Sequence, residues 1–200
     1  MTLYKRREKF SGLSARLGRT FGSAGLTANN YTALALIFVV ISAYFIISGN
    51  FLCAALFFAI ASFFDVVDGS VARFQKKESK SGAYLDSVSD RYVEGIFAVA
   101  LALVALPAFY LPAFFWIMLY LFGSMMTTYA RAVAAEKSIT KDLRGGLLER
   151  SDRLILLFVG IVLGYFAPVY LTYVIIILAV LANVSALQRI RIGLNSAGKK

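Results

Sequence analysis

FLCAALFFAIASFFDVVDGSVARFQKKESKSGAYLDSVSD, residues Phe51–Asp90, opens as an unbroken apolar run and closes with four aspartates. Continued to Phe74, the stretch reaches the ~20 residues that a helix needs to cross a bilayer. Its acids fall in two pairs, Asp65-x-x-Asp68 and Asp86-x-x-x-Asp90. Helical steps of three and four put the members of each pair on one face. An ionised side chain near the middle of a membrane helix costs roughly 3 kcal/mol on insertion scales, so four uncompensated ones cost about 10 kcal/mol or more. Positive charge must therefore sit among them.

The rest of the chain is equally oily. Its 200 residues are 60% hydrophobic and 16% charged, with a mean hydropathy of +0.74, which excludes an ordinary soluble domain. Six spans are expected, near Tyr31–Ser48, Phe51–Phe74, Ala83–Leu106, Leu111–Ala135, Arg153–Phe166 with some preceding residues, and Val169–Arg189. The expected fold is all-α, because irregular or open-sheet backbone cannot satisfy its polar groups in lipid.

The positive charges follow the spans. Of 21 Lys and Arg residues, all but Arg91 lie before the first span, at or beyond the ends of the second and sixth, or around the fourth-to-fifth connection. The alternate connections, Gly49-Asn50, Pro107–Pro112 and Ala167-Pro168, carry no charge. By the excess of basic residues on the inner side, both termini and the long loops are expected in the cytoplasm of a multi-pass cell-membrane protein. The three prolines sit in the opposite-side turns, where they interrupt no helix.

The chain is expected to be one membrane domain over residues 1–200, with a juxtamembrane segment at 1–29, a six-helix core at 30–192 and a tail at 193–200. In the first segment Phe10, Leu13, Leu17 and Phe21 recur at helical spacing among basic residues, as in an amphipathic helix lying on the cytoplasmic leaflet. The first apolar run follows a long basic stretch, which does not read as a cleavable signal. In the longest loop, Glu136 to Asp152, Arg144-Gly145-Gly146 breaks the helix. The lone Cys53 lies in an apolar run and reads as a small core residue. Histidine is absent, which excludes His triads, His-rich zinc sites and imidazole acid–base chemistry.

Four carboxylates facing one another suit hard divalent cations, which prefer oxygen ligands. Two Mg²⁺ or Mn²⁺ ions balance their charge and make a site suited to displacement at phosphorus. Zinc fits poorly without His or Cys ligands. Beside Asp68, Gly69 and Ala72 leave room for a close-lying diphosphate, and Arg73 offers a fork to phosphate oxygens. Asp90, the last of the four and the only one followed by a basic residue, is the candidate general base. Ion pairing with Arg73 and Arg91 is the plainer reading of the acids, and a divalent-cation transporter the alternative of another class.

Asp65, Asp68, Gly69, Ala72, Arg73, Gly82, Asp86 and Asp90 reproduce D-x-x-D-G-x-x-A-R, eight residues, then G-x-x-x-D-x-x-x-D. In this the chain resembles the CDP-alcohol phosphotransferase family, whose six-span layout it also shares. The resemblance implies transfer of a phosphoalcohol from a CDP-linked donor to an acceptor hydroxyl, with release of CMP. It implies two cations held by Asp65, Asp68, Asp86 and Asp90, with Asp90 as base. It implies nucleotide contacts from Asp68, Gly69, Ala72, Arg73, Ser79 and Gly82. Family members carry Ser/Thr-Pro-Asn/Asp before the first span; here Thr27-Ala28-Asn29 and then Thr32 stand there, with Asn29 and Thr32 supplying the polar groups. Dimers are usual in the family.

Arg131 ends the fourth span, and Arg150 and Arg153 open the fifth, three residues apart. Planar guanidinium groups suit phosphate, so these three are the candidates for binding an acceptor that carries its own phosphate. This resembles the branch of the family that makes phosphatidylinositol phosphate or archaetidylinositol phosphate from inositol phosphate. The expected donor is CDP-diacylglycerol or CDP-archaeol, with membrane lipid and a second copy as partners and no nucleic acid. Glycerol 3-phosphate, serine or another polar alcohol is the alternative acceptor.

Overall fold

The computed structural model describes residues 7–76, 79–140, 143 and 145–198; in the first helix, side chains are described at 12 and from 14 onward. Among the described residues seven helices follow in order: α1 Arg7–Gly22, α2 Ala28–Ile47, α3 Phe51–Phe74, α4 Lys80–Leu103, α5 Ala113–Glu136, α6 Arg150–Phe166 and α7 Pro168–Ala197. They fall into two compact units, Met1–Ala100 and Leu101–Lys200.

In the first unit, α2 and α3 pack as an antiparallel pair joined by a tight turn. Gly49 supplies the positive φ (+74°) that this turn needs, and the Asn50 side chain accepts from the Cys53 N–H at 3.1 Å to cap α3. Aromatic residues at steps of seven form the seam. Tyr31, Phe38 and Phe45 of α2 interleave with Phe57 and Phe64 of α3, with ring centroids 5.3–6.2 Å apart in stacked geometry. Each such pair contributes about 0.5–1.5 kcal/mol beyond the area it covers. In lipid that matters, because packing rather than hydrophobicity holds helices together there. Ser42 adds a buried hydroxyl bond to the Ala54 carbonyl at 2.8 Å. Phe97 brings α4 onto α3, its ring 4.5 Å from that of Phe58.

The first helix packs its second half against α2 and α3. The side chains of Phe10 and Leu13 lie outside what is described. Leu17 is half-buried, while Phe21 turns inward, edge-on to Tyr31 and Phe63 at 5.9 and 5.6 Å. The helix also meets α3 through small residues: a Cβ on Gly18 would stand 2.6 Å from the Ser70 carbonyl oxygen, and one on Gly22 2.6 Å from the Phe74 ring.

In the second unit α7 packs against both α5 and α6. Pro168 starts it at a position where a missing N–H costs nothing. Asn183 donates to the Leu119 carbonyl of α5 and the Ala179 carbonyl of α7, both at 2.8 Å. It fits only because Gly123 has no side chain: a Cβ there would lie 2.6 Å from Asn183 Nδ2 and 2.8 Å from its backbone nitrogen. Gly123→Ala is therefore expected to cost roughly 1–3 kcal/mol, read as a lower melting temperature in detergent with the circular dichroism of a helical protein retained.

The loop before α6 folds onto α7. Gly145 and Gly146 take φ values of +131° and +118°, the Arg189 Nε donates to the Gly145 carbonyl at 2.9 Å, and the Leu148 N–H donates to Ser185 Oγ at 2.9 Å. The expected helix break is thus present at both glycines; Arg144 lies outside the described residues. The last helix continues beyond the expected Arg189 to Ala197, with the guanidinium of Arg189 turned back onto the Thr127 carbonyl at 2.9 Å.

Among the described residues four helices, α2, α3, α5 and α7, are long and apolar enough to cross a membrane. Their outward faces are oily, with Ile37, Val40, Leu52, Leu56 and Phe122 all more than half exposed. The chain is a multi-pass membrane protein. Two of the six expected spans miss that measure for physical reasons: α4 carries Asp86, Asp90, Arg91 and Glu94, and α6 has 17 residues, about 25 Å of helix.

Candidate metal and nucleotide site

The acidic site lies wholly within the first unit, where the end of α3 meets the start of α4. Asp65, Asp86 and Asp90 each bring a carboxylate oxygen within 4.8 Å of the other two. At an effective dielectric of about 20, two full charges at such a distance oppose each other by about 3 kcal/mol, less where water screens the exposed Asp86. Arg91 relieves part of this, 3.6 Å from Asp90, but it also serves Glu94 at 3.4 Å. A carboxylate-only donor set at this spacing fits Mg²⁺ or Mn²⁺ and lacks the nitrogen or sulfur that zinc favours.

The fourth aspartate sits differently. Asp68 is buried at 7% exposure, and its Oδ2 accepts from the Thr32 hydroxyl at 2.7 Å. Thr32 also donates to the Ala28 carbonyl at 3.2 Å, so its hydroxyl hydrogen is shared at the first turn of α2. Beneath it Tyr31, Val67 and Val71 form a buried apolar cluster, with Phe21, Leu34 and Phe64 against it. The acids thus stand on a packed floor made by three helices.

The remaining nucleotide-side candidates surround this end of the unit. A Cβ on Gly69 would lie 3.5 Å from Arg73 Nη1, so the exposed Arg73 guanidinium lies across a bare stretch of backbone. Ala72 is half-buried and Asn29 is exposed in the first turn of α2. Ser79 caps α4, accepting from the Gly82 N–H at 3.0 Å.

The three candidate acceptor arginines belong to the second unit. Arg131 is exposed near the end of α5 and Arg150 is half-buried at the start of α6. Arg153 is 1% exposed and donates to Thr127 Oγ1 at 3.4 Å, so it also ties α6 to α5. The Glu149 N–H donates to Asp152 at 3.0 Å and stiffens the turn between Arg150 and Arg153.

Two residues of the site's surroundings escaped the sequence reading. Glu94, whose side chain is fully buried, pairs with Arg91, and its step of four from Asp90 was a usable signal. Ser14 bonds Arg73 from α1; no local pattern marks a serine for that task.

The wider comparison agrees with this geometry. A family model described as CDP-alcohol phosphatidyltransferase matches residues 25–189. The archaetidylinositol phosphate synthase of Pyrococcus horikoshii is 30% identical over 158 residues, 79% of this chain and 81% of that protein. The bifunctional IPC transferase and DIPP synthase of Aquifex aeolicus is 33% identical over 133 residues, 63% of this chain; the match spans 29% of that protein's length. Among solved structures, the phosphatidylinositol phosphate synthase of Mycobacterium tuberculosis with CDP-DAG bound matches with a TM-score of 0.80 at 25% identity, covering 92% of this chain and 94% of that one. The same enzyme in complex with manganese and citrate matches with a TM-score of 0.79 at 25% identity, covering 90% and 88%. With the motif, the carboxylate cluster and the family model in agreement, the chain belongs to the CDP-alcohol phosphatidyltransferase family of enzymes.

Proposed function

We propose that the protein transfers a phosphatidyl-type group from a CDP-linked lipid, CDP-diacylglycerol or CDP-archaeol, to a hydroxyl of inositol phosphate, releasing CMP. The observation that carries this reading is the convergence of Asp65, Asp86 and Asp90 within 4.8 Å, beside Asp68 and inside a complete family motif. Inositol phosphate as acceptor is supported by relatives named archaetidylinositol phosphate synthase and phosphatidylinositol phosphate synthase. Arg131, Arg150 and Arg153 are the cations assigned to the acceptor's own phosphate.

Asp65, Asp68, Asp86 and Asp90 would hold two divalent cations, Mg²⁺ or Mn²⁺. Bound there, the cations neutralise a diphosphate and the charge that develops on departing CMP. The chain's own groups do the rest. Gly69 and Ala72 keep side chains out of the diphosphate's way, with Ser79 and Gly82 at the start of α4 and Asn29 and Thr32 on α2 completing the nucleotide surround. Arg73 donates to phosphate oxygens, and Thr32 orients the Asp68 carboxylate. Asp90 takes the proton of the acceptor hydroxyl as its oxygen bonds the β-phosphorus and the phosphorus–oxygen bond to CMP breaks.

In this reading α2 to α7 all cross the bilayer. The charged turns of α4 lie at headgroup depth, and both termini and the acids face the cytoplasm. The first helix rests at the same surface, and residues 1–200 act as one membrane domain that pairs as a homodimer. An acceptor panel tests the substrate assignment. With either CDP-lipid, inositol phosphate is expected to be turned over at least tenfold faster than glycerol 3-phosphate, serine or free inositol. Preference for an unphosphorylated acceptor removes inositol phosphate from the account.

A further inference from the structure

Arg73 lies at the exposed end of α3, yet two helices hold its guanidinium in one direction. Nη2 donates to Ser14 Oγ of α1 at 2.8 Å and lies 3.4 Å from Ser70 Oγ of its own helix. The two serine hydroxyls meet at 3.0 Å, and Ser70 is fixed in turn by donating to the Val66 carbonyl at 2.9 Å. The planar group passes over Gly69, where a Cβ would stand 3.5 Å from Nη1 and 3.8 Å from Nη2. Among the described residues these contacts engage Nη2, and the Nη1 and Nε donors face a ligand in this proposal.

The first helix reaches Arg73 only because it comes so close to α3. Gly18 lies against the Ser70 carbonyl and Gly22 against the Phe74 ring, each with space for no Cβ. Gln75 fastens the far end, donating to the Gly22 carbonyl at 3.3 Å and the Leu26 carbonyl at 3.0 Å. Ser14 thus stands one helical turn from a contact that cannot slide. A purely mechanical docking of α1 has no need of a hydroxyl aimed at a charged side chain.

We infer that Ser14 is a positioning residue for the nucleotide site: its hydroxyl sets the Arg73 guanidinium in the orientation that receives the diphosphate of the CDP-linked donor. The inference rests on the reading of Arg73 as a phosphate-binding cation. An arginine held in place before the ligand arrives loses less freedom on binding, and the saving appears as affinity.

Titration calorimetry of the purified full chain in detergent, with CDP as probe and Mg²⁺ present, tests it together with steady-state kinetics on CDP-diacylglycerol. Arg73→Ala is expected to weaken CDP by more than tenfold. Ser14→Ala is expected to weaken it about fivefold and to raise KM for the donor similarly, with kcat within twofold and an unchanged melting temperature. Ser14→Thr keeps the hydroxyl and restores affinity, and Ser14→Ala adds nothing on the Arg73→Ala background. If Arg73→Ala weakens CDP while Ser14→Ala does not, the Ser14 inference fails and the reading of Arg73 stands. An equal loss from Ser14→Ala with and without Arg73 also overturns it, since the effect then bypasses the arginine. If Arg73→Ala leaves CDP binding intact, both fall.

Discussion

Asp90→Asn is expected to lower turnover by about a thousandfold or more while the protein still folds. The substitution keeps the shape of the side chain and removes both its negative charge and its capacity to take a proton. Arg91 is not stranded, because Glu94 remains 3.4 Å away as a second partner. Asp65, Asp86 and Asp68 stay in place, so CDP is expected to bind with much of its parent affinity. Assay of CMP release from CDP-diacylglycerol, beside CDP calorimetry on the same preparation, separates the two properties. Parallel losses of binding and turnover would assign Asp90 to the nucleotide site alone and take away its role as base.

The second large effect concerns metal. With Mg²⁺ present and CDP at about a hundred times its Kd, binding adds about 2.7 kcal/mol to stability. For a chain of this size that is roughly 5 to 10 °C in melting temperature. Chelation with EDTA is expected to abolish this protection, and Asp65→Ala to abolish it even in saturating Mg²⁺. The loss in Asp65→Ala follows from geometry: alanine leaves no oxygen at one of the three positions that meet within 4.8 Å, whereas Asp90→Asn keeps one, and an octahedral cation that demands close oxygen ligands is then poorly held. Protection by CDP that persists in EDTA would separate nucleotide binding from the aspartates. Protection by metal with indifference to CDP would favour a cation carrier over a transferase.

The acidic site was legible because charge in an apolar chain is rare and its spacing is helical. Asp86 and Asp90 share a face as a step of four implies and meet Asp65, whereas Asp68, a step of three from Asp65, is outside that trio. The posture of Asp68 was not legible, since the bond to Thr32 spans 36 positions and no local spacing encodes it. The helices followed from apolar runs bounded by Gly49-Asn50 and Pro168, and the ends drifted where composition changes gradually: α7 runs on past Arg189 because its basic residues tolerate helix in water as well as in lipid. How the first helix docks was not legible, for an equally physical reason. Hydrophobic periodicity finds large apolar side chains such as Phe21, whereas α1 also docks through Gly18 and Gly22, whose value lies in what they lack.

The central claim is that these aspartates hold divalent cations against a cytidine diphosphate. Anomalous diffraction from crystals grown with Mn²⁺ and CDP tests it most directly. The account predicts two manganese peaks ligated by Asp65, Asp68, Asp86 and Asp90, with the diphosphate beside Arg73. Manganese found elsewhere, or CDP bound with no metal at these carboxylates, would contradict it.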